Sequence, residues 1–196
     1  SAASQALLDR GLGPETPLMI LSGNSIAHAV LMLGAMKARV PVAPVSVAYS
    51  LMSADHSKLR HVFETAMPGM IFAEQGPLYS RALAALPLDG VEVVTVIPVP
   101  DRETTPFDEL VRIRAGTGVA RAMAAIGHGT VAKYLFTSGS TGMPKGVINT
   151  QRMLCSNQQA IRQCWPFLEG ERPVIVDWLP WSHTFGGNHN FNMVLA

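Results

Sequence analysis

Short apolar runs alternate along this chain with segments of helical period. Leu18-Met19-Ile20-Leu21 is apolar at four successive positions, between Pro17 and Ser22-Gly23-Asn24. A run bounded in that way predicts a strand buried on both faces. A helix should follow, capped by Asn24 or Ser25, with Ile26, Ala29, Val30, Leu33 and Met36 on one face. Val40 to Val45 predicts a second strand, which Pro41 and Pro44 demote to an edge or a bulge. Ser53 is the expected cap of another helix, in which Leu59, Val62, Phe63 and Ala66 recur at helical spacing. A strand at Met70 to Ala73, a helix near Leu78 to Leu86 and a strand at Val91 to Ile97 complete this half.

Pro98 to Pro106 breaks the pattern with three prolines and mixed charge. Residues 98–118 therefore read as a linker between an α/β segment at 1–97 and a second one at 119–196. Short helices are expected at Phe107 to Arg114 and Gly118 to Ile126. A strand at Val131 to Phe136 and its return at Gly146 to Asn149 come next, then a helix capped by Thr150 and stopped by Pro166. Val174-Ile175-Val176 predicts a buried strand ending at Leu179-Pro180. Strands alternating with helices across short connections give an α/β fold, a parallel sheet flanked by helices on both faces.

Composition narrows the functional classes. The chain has 196 residues, 48% of them hydrophobic and 15% charged, with a net charge of +1. That excludes a disordered polyelectrolyte and leaves no electrostatic footprint for nucleic acid or an acidic membrane. No apolar run is long enough to span a bilayer, and the start of the chain is not signal-like. Cys155 and Cys164 are too few for a disulfide framework and match no metal spacing, so reduced thiols and a cytoplasmic location are expected. A globular chain averages about a quarter charged residues. The lower value here, with the apolar ending Phe191 to Ala196, predicts a fragment of something larger.

Candidate chemistry concentrates in Phe136-Thr137-Ser138-Gly139-Ser140-Thr141-Gly142-Met143-Pro144-Lys145-Gly146-Val147, between two strand-like segments. Its glycines let the main chain approach a ligand, its backbone N–H groups can form an anion nest, and Lys145 adds a point charge. This combination suits a polyphosphate. The Walker pattern fails, because Lys145 follows Pro144 and precedes Gly146. A dinucleotide fingerprint fails as well, because Gly127-His128-Gly129 precedes a strand instead of following one. Nor is there a nucleophile elbow, since Gly139-Ser140-Thr141-Gly142 lacks its spacing. A glycine-rich hairpin with hydroxyl-capped turns is the plainer reading, and it leaves Lys145 unexplained.

A second cluster, Leu179-Pro180-Trp181-Ser182-His183-Thr184-Phe185-Gly186-Gly187-Asn188-His189-Asn190, follows the last predicted strand. Ligands of open α/β sheets bind at the carboxyl ends of strands. Trp181 and Phe185 offer flat apolar faces, and His183 can donate or accept a hydrogen bond. His183, His189 and His128 lack metal-ligand spacing and have no nearby carboxylate, so no metal site is assigned.

The first run resembles, at twelve consecutive positions, the phosphate-binding signature of the adenylate-forming superfamily of acyl- and aryl-CoA ligases, luciferases and peptide-synthetase adenylation domains. The Leu-Pro-x-x-His-x-x-Gly of the second cluster is similar to another of its signatures. Leu33 to Val45 looks like a third, with Arg39 where the family usually has glycine, which puts the local turn in question. The aromatic and Asn-rich form of the second cluster is most similar to feruloyl-CoA synthases. The resemblance implies part of the large N-terminal domain of an adenylate-forming enzyme that joins a carboxylic acid, such as ferulate, to coenzyme A through an acyl-adenylate.

ATP, magnesium and coenzyme A would be its cofactors and co-substrates, with an aryl or acyl carboxylic acid as partner. By position, Thr137, Ser138, Gly139, Ser140, Thr141, Gly142 and Lys145 would hold the β- and γ-phosphates, with Gly146 shaping the loop. His183 would orient the acid's carboxylate, and Trp181 and Phe185 would contact its ring. Lys145 and His183 would carry the catalytic roles. A fatty acyl-CoA ligase, a peptide-synthetase adenylation domain and a non-catalytic nucleotide-binding module remain alternatives. The family's magnesium-binding glutamate, ribose-binding aspartate and C-terminal lysine match nothing in these residues, so the chain alone is expected to be inactive.

Overall fold

A computed structural model describes residues 1–138, 142–170 and 174–196. The chain opens with α1 (Ala2–Asp9), then β1 (Leu18–Leu21), α2 (Ile26–Lys37), β2 (Val42–Pro44), α3 (Val47–Leu51), α4 (Ser57–Ala66) and β3 (Met70–Ala73). It continues through α5 (Gly76–Ala84), β4 (Glu92–Thr95), β5 (Thr105–Pro106), α6 (Phe107–Arg112) and α7 (Thr117–Ala124). The last part holds β6 (Val131–Ser138), β7 (Pro144–Thr150), α8 (Gln151–Cys164), α9 (Phe167–Gly170), a π-helix (Phe185–Asn190) and α10 (Phe191–Met193).

One sheet runs in the order β5-β4-β3-β1-β2-β6-β7. Every pairing is parallel except the β6–β7 hairpin, whose short connection permits only antiparallel strands. Successive side chains in a strand point to opposite faces. Leu18, Ile20, Val42, Met70, Phe72 and Val94 pack with α1, α2 and α6, whereas Met19, Leu21, Ile71, Ala73 and Val93 pack with α4 and α5. Helices on both faces explain why the central strands read as unbroken apolar runs. The segment read as a linker contributes β5 and α6, which extend the sheet beside β4.

Four local expectations are corrected. Helix α2 is capped by Ser25, whose side chain accepts from the His28 N–H, but it buries Ala27, Leu31, Met32 and Ala35. Ile26 is 85% exposed, and Val30 and Leu33 also face outward. This helix is apolar on nearly every side, so its period selects no face. Close packing decides instead, because a Cβ on Gly34 would lie 2.9 Å from Ala3 Cβ of α1.

The second correction concerns β2, which sits between β1 and β6 rather than at an edge. Val45 N–H donates to Ile20 of β1, so by alternation the missing N–H of Pro44 faces β6. On that side the recorded register is the single pair Val42 and Lys133, and little is lost.

Third, Ser53 does not cap α4. Its hydroxyl accepts from the His56 N–H, and Asp55 Oδ1 accepts from the Ser57 N–H where the helix begins. Last, residues 174–176 form no strand, and Val174 and Val176 are more than nine-tenths exposed. Among the described residues no strand lies beside them, and an apolar run without a ladder partner has no reason to stay extended in a sheet.

The turn after α2 keeps its form despite Arg39. Val40 N–H donates to Ala35 and Arg39 N–H to Met36, the paired bonds of a left-handed helix stop. Arg39 takes the left-handed position, at φ 61°, where glycine is usual.

Candidate functional site

The β6–β7 hairpin is built so that its two faces differ. Phe136 and Pro144 pack toward α4, where the His61 ring nitrogen lies 2.9 Å from the Pro144 carbonyl oxygen. Gly146 is opposite Phe136, and a Cβ there would stand 3.3 Å from the ring. Thr137 and Lys145 are also directly paired, and both are exposed. Partners across an antiparallel pair project on the same side of the sheet, with Cβ atoms roughly 5 Å apart. A hydroxyl and an ammonium therefore share one exposed face at the turn end of the hairpin. Gly142 just beyond it has φ 87°, a left-handed turn suited to glycine. Gly139, Ser140 and Thr141 and the side chain of Ser138 lie outside the described residues.

Along that same face, two residues at a time, come Leu135 and Lys133 on β6 and Val147 and Asn149 on β7. The second sequence cluster packs here. Lys133 is fully buried and its Nζ donates to the Gly187 carbonyl at 2.8 Å, with the Phe191 ring 5.6 Å away. Burial holds this ammonium well below its ordinary range, at about 8. Asn149 Oδ1 accepts from Asn188 Nδ2 at 2.8 Å, and Gln158 of α8 donates to the Asn188 carbonyl at 3.0 Å. Four residues along a strand span about 13 Å. The hairpin end with Thr137 and Lys145 and the anchor of the histidine cluster thus lie on one face of one strand.

The cluster itself is a tight bend followed by a π-helix. His183 N–H donates to the Pro180 carbonyl, Gly187 N–H donates to the His183 carbonyl, and His183 Nδ1 accepts from the Phe185 N–H at 3.3 Å. Gly186 and Gly187 permit this packing. A Cβ on either would fall inside the van der Waals radius of the Pro180 or Trp181 carbonyl oxygen. Asn24, in the turn after β1, brackets the entry to the bend. Its amide donates to the Leu179 carbonyl at 2.9 Å and accepts from the Trp181 N–H at 3.0 Å.

Of the predicted site residues, His183 and Phe185 come together. They line a cleft of about 400 Å³ with Asn149, Met153, Asn157, Asn188 and His189, between α8 and the π-helix. Trp181 lies elsewhere. It packs edge-on against Phe191, at 4.6 Å, and against His28, at 5.2 Å, beside the core under α2. His28 is buried and its pKa is lowered to about 4, by burial first and then by the nearby Lys133 charge. Cys155 and Cys164 are free and exposed.

Sequence reasoning passed over Lys133, His28, Asn149 and Asn188. A lysine inside the apolar run Val131 to Phe136 was the one available signal. Among the described residues, no three His, Cys, Asp or Glu side chains come together to hold a metal ion, and no helix is long and apolar enough to cross a membrane.

The chain can be set beside known proteins. A model of the family described as AMP-binding enzyme matches residues 1–196. Oxalate–CoA ligase of Arabidopsis thaliana is 28% identical over 192 residues, covering 94% of this chain and 34% of the ligase. Apicidin F synthase of Gibberella fujikuroi is 31% identical over 160 residues, covering 80% of this chain and 3% of the synthase. The chain therefore spans only part of the length of these relatives. The structure of ATP-bound MatB from Rhodopseudomonas palustris superposes with a TM-score of 0.69 at 23% identity, covering 99% of this chain and 36% of that one. That likeness establishes the fold. The parallel sheet and the family match over the whole sequence make this chain a member of the AMP-binding enzyme family, within the adenylate-forming superfamily.

Proposed function

We propose that the chain belongs to the N-terminal domain of an ATP-dependent acid–CoA ligase that activates an aryl carboxylic acid such as ferulate. The observation that carries this reading is the shared strand face. Thr137 and Lys145 stand at its turn end, and the elements bearing His183 and Phe185 are anchored on it about 13 Å away. A triphosphate tail at the hairpin and a carboxylate at the cleft would then approach each other from adjoining sites.

The chemical obstacle is charge, because a carboxylate must reach a phosphate that already carries negative oxygens. Lys145 offers a fixed positive charge where negative charge grows on the leaving pyrophosphate, and fixed charges outperform water at that task. The Thr137 hydroxyl can donate a second bond, and Gly142 and Gly146 keep side chains out of the way. His183 presents its ring at the mouth of the cleft, where an imidazole N–H can hold the acid's carboxylate in line. Phe185 offers the aromatic ring an apolar wall. ATP supplies the leaving group, and coenzyme A supplies the thiol that later displaces AMP. Magnesium, when bound with ATP, would offset phosphate charge, and its protein ligands are not among the described residues as a cluster of three or more His, Cys, Asp or Glu side chains.

In the full-length protein, Lys145→Ala should lower acid-dependent pyrophosphate exchange about a hundredfold. Thioester formation from preformed acyl-adenylate should change far less. Equal loss in both half-reactions would remove the phosphate role of Lys145. Ferulate should outperform fatty and amino acids in the exchange assay. A second reading is a peptide-synthetase adenylation domain, supported by the likeness to a probable nonribosomal peptide synthetase of Salinispora arenicola, 29% identical over 170 residues. Amino-acid-dependent exchange without coenzyme A thioester would favour it.

A further inference from the structure

We propose that Lys133 and Asn24 are positioning residues for His183, holding its bend from two sides against the sheet that carries the phosphate hairpin. The inference rests on the acid–CoA ligase reading of the same site. The bend from Leu179 to Gly187 contains no regular strand; Trp181 packs its entry against His28 and Phe191, but Gly186 and Gly187 give its far end no side chain to wedge it in place. A loop of this kind keeps one geometry only if its backbone groups are tied to rigid elements.

Two side chains from distant sequence do this. Asn24 follows β1, at the centre of the sheet. Its amide uses both a donor and an acceptor, on Leu179 and Trp181, which fixes the orientation of the backbone as well as its distance. Lys133 holds the far end. A lysine with no exposed surface normally has a carboxylate partner. Here the recorded partners are the Gly187 carbonyl and the Phe191 ring face. Since the Gly187 N–H donates to the His183 carbonyl, the Lys133 bond acts on the residue that closes the His183 turn.

Desolvating an ammonium is costly, and an apolar side chain would fill the same space at lower cost. The bond to Gly187 gives that cost a purpose. Lys133 pairs with Asn149 across the hairpin, and Asn149 holds Asn188, so the π-helix is tied to β6 and β7 at consecutive residues. Any displacement of this anchor would move His183 relative to Lys145.

The test compares Asn24→Ala, Lys133→Met and Lys133→Arg in the full-length protein, by hydrogen exchange and by the kinetics of adenylation. Asn24 is exposed, so its variant does not depend on repacking a core. Losing one such bond should raise the KM for the acid about fivefold and leave the KM for ATP within about twofold. Amide exchange over residues 181–187 should quicken by a similar factor in Asn24→Ala and Lys133→Met, without change in β1 or β3. Lys133→Arg, which keeps a cationic donor, should restore much of the loss.

If Lys133→Met does not fold, the Asn24→Ala and Lys133→Arg results decide. Unchanged exchange at 181–187 with an unchanged acid KM would overturn the proposal. So would a general rise in exchange with both KM values moving together, which is what mere destabilisation does. Lys145→Ala runs alongside as the separate check. If it leaves adenylation intact, the ligase reading fails, and the exchange data still decide whether the bend is anchored as stated.

Discussion

Three side chains hold positions that their chemistry resists. Arg39 occupies a left-handed conformation, which costs a residue with a Cβ about 1 kcal/mol or more, and its buried Nε has no hydrogen-bond partner among the described residues. Arg39→Gly should therefore raise stability by roughly 0.5–1 kcal/mol, seen as a melting temperature higher by about 2 °C. A lower melting temperature would mean that the arginine's packing outweighs its strain. Lys133 is a buried ammonium and His28 a buried imidazole, each shifted away from its charged form.

For His28 the sign is clear. Its folded value, about 4, lies below the ordinary 6.5, so between these limits the unfolded chain binds a proton that the folded chain refuses. The stability present above pH 6.5 is lost as the pH falls toward 4. Between pH 7 and pH 5 the loss from this residue is roughly 2 kcal/mol. Urea unfolding at both values, for wild type and His28→Gln, should show a pH difference smaller by about that amount in the variant. An unaltered difference would mean that His28 is protonated in the folded protein.

Among the elements of the candidate site, the π-helix depends on its glycines more strictly than the hairpin does. Gly187→Ala places a methyl group against the Trp181 carbonyl, and the backbone has no room to yield. Loss of this packing should cost about 3 kcal/mol and disorder the His183 bend, measurable by unfolding and by exchange over residues 181–187. Gly146→Ala is milder, because the Phe136 ring at 3.3 Å can tilt, and about 1 kcal/mol is expected.

These elements also separate what the sequence declared from what it hid. β1, β3, the hairpin strands and the Thr150 cap of α8 were legible, because apolar runs between turn residues and a hydroxyl before a helical period leave few alternatives. The buried face of α2 was not legible, since a helix apolar all round carries no directional signal. The central place of β2 was hidden by two prolines whose missing donors fall where little pairing exists. Lys133 escaped notice and Asn24 was read only as a possible helix cap, because their partners are backbone groups 54 and 155 residues away. Periodicity does not report such bonds.

For the whole molecule, one sheet carries both the β6–β7 hairpin and the anchor of the histidine cluster, and the proposed function depends on that arrangement. Under the proposed function, short distances along one strand face would let a rigid body present ATP and the acid to each other, with little entropy left to lose at the moment of reaction. The most direct measurement is a crystal structure of the full-length protein with ATP bound. The account predicts the β- and γ-phosphates within hydrogen-bond reach of Lys145 and Thr137, with the α-phosphate turned toward the His183 cleft. Phosphates bound at any other part of the sheet, with Lys145 still facing solvent, would contradict it.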